Sequence, residues 1–178
     1  ALLPAAVAGV VIFGLSSVWT ILTCVVAAVL AEFLFNLCTK RKQTIGDLSA
    51  VVTGLLLALN LSTAVPLWQC AIGSVFAIVI VKGCFGGIGK NLVNPAIAAR
   101  VFLLLCFTST VAGGAAPVAD LTATATPLVT INQGAAAAKA ISLSSLFFGN
   151  YGGAIGETCT IALLLGFVYL VVRRVIKW

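Results

Sequence analysis

Apolar runs separated by short polar punctuation organise this chain. The first, Leu2 to Gly14, is shorter than the roughly 20 apolar residues a helix needs to cross a bilayer, and reads as a half-helix or the remainder of a longer one. Ser16 to Cys38 is a full span, and Lys40-Arg41-Lys42 closes it. After Ile45-Gly46-Asp47-Leu48-Ser49 the run from Ala50 ends at Asn60, just before Ser62-Thr63. Asp47 or Ser49 is placed to cap that short helix, because a side-chain oxygen satisfies the free N–H groups at a helix start. Pro66 to Val81 is another short span, ending at Lys82. A glycine-rich turn over 83–89 leads to Asn94-Pro95, and a helix is expected from Pro95 to about Ala112, with proline favourable in its first turn. Residues 113–141, rich in Ala, Thr and Gly, form one long loop. A short apolar piece follows over 143–148, and the last span ends at Arg173-Arg174.

Composition turns these runs into membrane segments. The 178 residues are 62% apolar and only 8% charged, with a mean hydropathy of +1.23. About a quarter of the residues of a soluble domain are charged, so this chain cannot cover a water-facing surface. The expected fold class is an all-α polytopic membrane protein: one transmembrane domain over 1–178, trimmed at both ends from a longer subunit, with a bundle of short or broken helices. Helices interrupted by Gly or Pro mark transport folds, where irregular backbone lines a cavity rather than facing lipid.

The net charge of +6 reflects cytoplasmic loops rather than nucleic-acid binding, since no aromatic residues interleave with the basic ones. Placing Lys40, Arg41 and Lys42 inside also puts Lys82, Lys90, Arg173, Arg174 and Lys177 inside, eight of the ten basic residues. The 113–141 loop, with Lys139, then falls on the outer face, and Arg100 lies within a helix. The six cysteines lack a C-x-x-C pair and histidine is absent, so no metal site is expected within this chain alone. A cysteine lent to a cluster shared with another subunit stays open.

Chemistry concentrates in few residues. The outer loop holds a threonine cluster behind a lone acid, Asp120-Leu121-Thr122-Ala123-Thr124-Ala125-Thr126-Pro127-Leu128, and the Thr126 hydroxyl is the candidate for covalent attachment. Four acids exist in all: Glu32, Asp47, Asp120 and Glu157. An intramembrane acid is a functional hypothesis by default. The plain alternatives are that Glu32 pairs with a nearby Lys or Arg, and that Glu157 sits in a helix's first turn, where the dipole favours it. Arg100 has similar standing, as a contact for phosphate or quinone or as the partner of an acid. Asp47, Asn60, Asn94, Arg100 and Glu157 are carried as candidates for an ion path or for the neighbourhood of the group attached at Thr126. The turn Gly86-Gly87-Ile88-Gly89 lacks the G-K-[ST] of a phosphate loop and is better explained by close packing.

Several separated motifs, in order, carry a family resemblance through nearly the whole chain. They are Ile45-Gly46-Asp47 with Ser49–Asn60; Lys82; Gly86-Gly87-Ile88-Gly89; Asn91; Asn94-Pro95-Ala96; Arg100; Ala125-Thr126-Pro127-Leu128; Gly149-Asn150; Gly152-Gly153; and Ile155-Gly156-Glu157-Thr158. By these the chain resembles the D-type subunit (RnfD) of the Rnf ion-translocating ferredoxin:NAD oxidoreductase complex. It is similarly related to the B-type subunit of the sodium-pumping NADH:quinone reductase. The resemblance implies FMN joined by a phosphoester to Thr126, installed by a separate flavin transferase. Asp120, Thr124, Ala125 and Pro127 form the surrounding motif. Leu121 stands where the pattern usually has a small residue and Ala123 where it has a hydroxyl, which leaves Thr124 as an alternative acceptor.

The resemblance further implies half of an inverted-repeat, transporter-like fold, a bacterial or archaeal cytoplasmic membrane, and partners of the Rnf A, B, C, E and G types. The implied role is electron passage through FMN coupled to Na⁺ or H⁺ movement, with no activity by the subunit alone. Two other readings stand beside it: the quinone-reductase subunit, and a passive channel or transporter for a small solute.

Overall fold

The computed structural model describes residues 1–41, 43–85, 87, 91, 93–111, 147–149 and 152–175. The 113–141 loop lies outside them, and with it Asp120, Thr124, Ala125, Thr126 and Pro127. Every regular element among the described residues is helical.

Helix α1 (Leu3–Phe13) starts with Pro4 in its first turn and stops at Gly14, whose φ of 69° turns its N–H back onto the Val10 carbonyl at 2.9 Å. Helix α2 (Leu15–Cys38) has 24 residues and is the one described helix long and apolar enough to cross a membrane. A 3₁₀ turn, Ile45–Asp47, leads into α3 (Ser49–Asn60). Helix α4 (Leu67–Phe76) runs on into a π-helical segment, Ala77–Gly83. Helix α5 (Pro95–Cys106) is followed by the single turn α6 (Thr108–Val111), and α7 (Thr160–Val172) closes the described chain.

Three boundaries differ from the sequence-based expectation. Neither Asp47 nor Ser49 caps α3: the cap position is Leu48, in the left-handed region at φ 53°, with no side-chain cap bond. The 3₁₀ turn uses Asp47, and the Ser49 hydroxyl is engaged by Lys82. The Pro95 helix does not run unbroken to Ala112. Phe107 leaves helical geometry at ψ 48°, where Thr108 and Thr110 bond backward to the Leu104 and Phe107 carbonyls and so compete with the helical ladder. Glu157 is not in the first turn of α7 but in the turn preceding it, where its carboxylate accepts the Ala154 N–H at 3.0 Å.

The chain divides into two compact units. One holds residues 1–17 with the C-terminal part, where α1 packs on α7, Gly9 abuts Ile155 and Gly166 meets the Ala1 carbonyl. Small residues at such crossings let helix backbones approach without a hydrophobic gradient to drive them.

The other unit, residues 18–61 and 65–112, packs α2, α3, α4 and α5 around a core that includes Cys24, Leu57, Ala58, Cys70, Ala99 and Leu103. At Gly54 a Cβ would stand 2.8 Å from the Cys24 carbonyl and 2.9 Å from Val25 Cα, so glycine sets the α2–α3 spacing. Phe76 and Phe102 stack with centroids 4.1 Å apart, tying α4 to α5.

Candidate functional site

Inside the second unit a charged cluster is buried where α2, α3 and the π segment meet. Glu32 belongs to α2, Ser49 opens α3, and Lys82 lies in the π segment. The Lys82 ammonium donates to Glu32 Oε1 at 2.7 Å and to Ser49 Oγ at 2.6 Å. Thr44 Oγ1 donates to the same Glu32 oxygen at 2.5 Å and accepts from Asn36 Nδ2 at 3.1 Å. The lysine and glutamate side chains are only 7% and 5% exposed.

Geometry explains why the charges tolerate burial. An uncompensated ion in a low-dielectric interior costs several kcal/mol, and a partner plus hydrogen bonds offsets that cost. One atom is left over: Glu32 Oε2 is buried and accepts no hydrogen bond. Glu32 also lines a pocket of about 250 Å³, together with Lys82, Asn36, Thr44, Arg41 and Asp47. Arg41 lies 5.6 Å above the Phe35 ring centroid and donates to the Gly83 carbonyl at 3.2 Å, so it braces the far end of the π segment. The site therefore combines an acid with a spare oxygen, a tethered cation and space beside both.

Of the candidates read from sequence, the structure brings only Asp47 to this pocket, where it is exposed. Asn60 ends α3 and donates to the Leu56 carbonyl at 2.8 Å. Asn94 caps α5 by accepting the Ala96 N–H at 3.0 Å. Arg100 is half-buried on α5, and among the described residues no acid pairs with it. Glu157 belongs to the other unit. The flavin motif, Asp120 to Pro127, lies outside the described residues.

The expected pairing of Glu32 with a basic residue is present. Lys82, however, reads from sequence as a loop charge at the end of a span, and here it is a buried partner. The available signal was charge balance. An acid inside an apolar run needs a cation, and Lys82 ends another apolar run.

A chain this apolar, all-helical where described and with one helix long and apolar enough to cross a bilayer, has the character of a membrane protein. Residues 1–178 match the NQR2, RnfD, RnfE family, and the chain belongs to that family. It is 46% identical over 182 residues to the D subunit of the Na(+)-translocating ferredoxin:NAD(+) oxidoreductase complex of Acetobacterium woodii. It is 38% identical over 188 residues to the D subunit of the proton-translocating ferredoxin:NAD(+) oxidoreductase complex of Clostridium ljungdahlii. Each alignment covers 100% of this chain and 57% of the relative, so the chain spans little more than half the length of these proteins. The B subunit of the Na(+)-translocating NADH-quinone reductase of Chromohalobacter salexigens is 41% identical over 130 residues, 71% of this chain and 32% of the relative.

Proposed function

We propose that the chain is part of a membrane subunit of an Rnf-type complex, which couples ferredoxin:NAD electron transfer to Na⁺ or H⁺ translocation. The observation that carries this is similarity along the whole chain to the D subunits of two such complexes. The buried Glu32–Lys82 pair supports it, since intramembrane charge has few purely structural uses. Asp47, at the mouth of the same pocket, joins the pair as a candidate for the ion path. Asn60, Asn94, Arg100 and Glu157 are further candidates at separate positions.

In this reading the subunit crosses the bacterial or archaeal cytoplasmic membrane several times, and this chain forms half of its inverted-repeat fold. Its 113–141 loop is on the outer face, with FMN on Thr126, installed by a flavin transferase, and Asp120, Thr124, Ala125 and Pro127 alongside. When bound, a flavin accepts two electrons and releases them one at a time. The partners are Rnf subunits of the A, B, C, E and G types, and turnover as a ferredoxin:NAD oxidoreductase belongs to the assembled complex. The likeness to the quinone-reductase subunit supports the same flavin chemistry in a second reading, separated by which subunits co-purify.

Mass spectrometry of the peptide from Asp120 to Lys139 tests the flavin, together with in-gel fluorescence of wild type and Thr126→Ala, each co-expressed with the transferase. An FMN adduct that disappears in the variant is expected. An unmodified peptide beside an active transferase removes the flavin reading and leaves a passive small-solute transporter in its place.

A further inference from the structure

The inner end of the fourth helix is wound differently from the rest of the bundle. Ala77–Gly83 is π-helical: the Ala77 N–H still reaches Gly73 and Ser74, but at the segment's end the Cys84 N–H meets the Val79 carbonyl, five residues back, at 3.1 Å. The Gly87 N–H continues the pattern to Lys82 at 2.9 Å. Such π winding is rare, usually confined to one turn, and concentrated at functional sites. Here it carries the buried cation.

We propose that Ala77–Gly83 is a two-register element, in which a change from π to α winding withdraws Lys82 from Glu32. The proposal deepens the ion-translocation reading and names the moving part of that site. One residue of register turns a helix by about 100°, enough to take the ammonium off the carboxylate. The polar contacts that select the π register are Lys82 to Glu32 and Ser49, and Arg41 to the Gly83 carbonyl, while Ala77, Ile78 and Val81 pack the same segment into the apolar core. The Phe35 ring seats against Gly83, where a Cβ would lie 2.8 Å from its edge.

The site is also built for the withdrawn state. Glu32 Oε2 already lacks a partner, and the pocket of about 250 Å³ that Glu32 and Lys82 both line has room for water or a small monovalent cation once the lysine moves. When Lys82 leaves, the carboxylate is compensated from that pocket instead of being stranded. When Lys82 returns, it displaces whatever cation or proton the carboxylate holds. A tethered cation would thus alternate with a mobile one at a single acid.

Hydrogen-exchange mass spectrometry on the full-length subunit in its assembled complex, in nanodiscs, tests this over residues 77–84. In wild type these amides are expected to exchange faster than those of Leu67–Phe76. Glu32→Gln and Lys82→Met remove the contact that holds the π register, so exchange slows about tenfold as α winding takes over. Deletion of Ile80, whose side chain is exposed, gives the same slowing with the ion pair's residues both present. Unchanged or faster exchange in both point variants overturns the proposal.

Should Glu32→Gln fail to assemble, Lys82→Met and the native thiol of Cys84, exposed just beyond the segment, carry the test. Its maleimide labelling rate shifts if the register changes, and an identical rate with unchanged exchange counts against the device. Ion uptake into vesicles separates the two readings. A Glu32→Gln complex that alters exchange yet transports normally removes the ion reading and keeps the register change, whereas lost transport with unaltered exchange does the reverse.

Discussion

Lys82 Nζ lies 2.7 Å from Glu32 Oε1 across a sequence separation of 50 residues. Both groups are almost wholly buried, so neither charge has water as an alternative partner. In the π register the contact sets the rotation of the segment relative to α2, and any turn of either helix must bring each ion a new partner. Ser49 and Thr44 complete the geometry from α3 and from the connection before it.

Breaking one side of this pair is expected to cost at most about 3–5 kcal/mol, the value for an ion left buried with no compensation at all. Lys82→Met and Glu32→Gln should each lower the melting temperature of the purified complex. The double variant should lose less than the two single losses together. Thermal melting followed by fluorescence size-exclusion reads all of these, and strict additivity would show that the pair is not coupled.

Much of this arrangement is legible in the chain, but unevenly. The ends of α1 and α2 and the start of α5 stand out because Gly, a charge cluster or Pro bounds each apolar run, and the end of α3 because Asn60 and Ser62-Thr63 interrupt it. The break at Phe107 is not visible in the same way, because Leu103–Val111 is a plausible helix until the threonine hydroxyls turn onto backbone carbonyls. The π winding leaves no local trace, since Ala77–Val81 reads as an ordinary apolar run. A lysine at the end of a span looks alike whether water or a carboxylate receives it; only the packing of α2 beside the π segment decides. Sequence reasoning accordingly reached the acid at Glu32 without reaching its partner, and placed the ion-path candidates Asn60, Asn94, Arg100 and Glu157 at points the fold does not gather into this pocket.

Gly54 allows the closest approach of α2 and α3, and substitution there should act through helix spacing. Gly54→Leu places a branched side chain where even a Cβ would meet the Cys24 carbonyl oxygen at 2.8 Å, so α3 must move outward and carry Ser49 with it. The expected result is loss of assembled complex, with Gly54→Ala intermediate. The ratio of membrane-inserted to assembled protein on native gels checks this, and normal assembly of Gly54→Leu would count against the close crossing.

Asn94 accepts the Ala96 N–H and so satisfies one of the free donors at the start of α5. Asn94→Ala should lower stability by about 1 kcal/mol, while Asn94→Asp and Asn94→Ser, which retain a capping oxygen, should stay close to wild type. Melting of the three variants side by side provides the check. Equal losses in all three would assign Asn94 a role other than capping.

Thr44 supplies the second hydrogen bond to Glu32 Oε1 and takes one from Asn36, so its hydroxyl links the connection after α2 to the charged cluster. A hydrogen bond to a charged group contributes about 1.5–3 kcal/mol, more than a neutral one. Thr44→Val keeps the shape and removes both bonds. The Asn36 amide, itself buried, then loses its acceptor, and the carboxylate depends on Lys82 alone. Thr44→Ser keeps the hydroxyl and should melt near wild type, with Thr44→Val clearly below it. Combining Thr44→Val with Lys82→Met should lose more than either alone, because the carboxylate then has neither of its donors. If Thr44→Val melts with the wild type, the hydroxyl is a bystander and Lys82 by itself holds Glu32 in place.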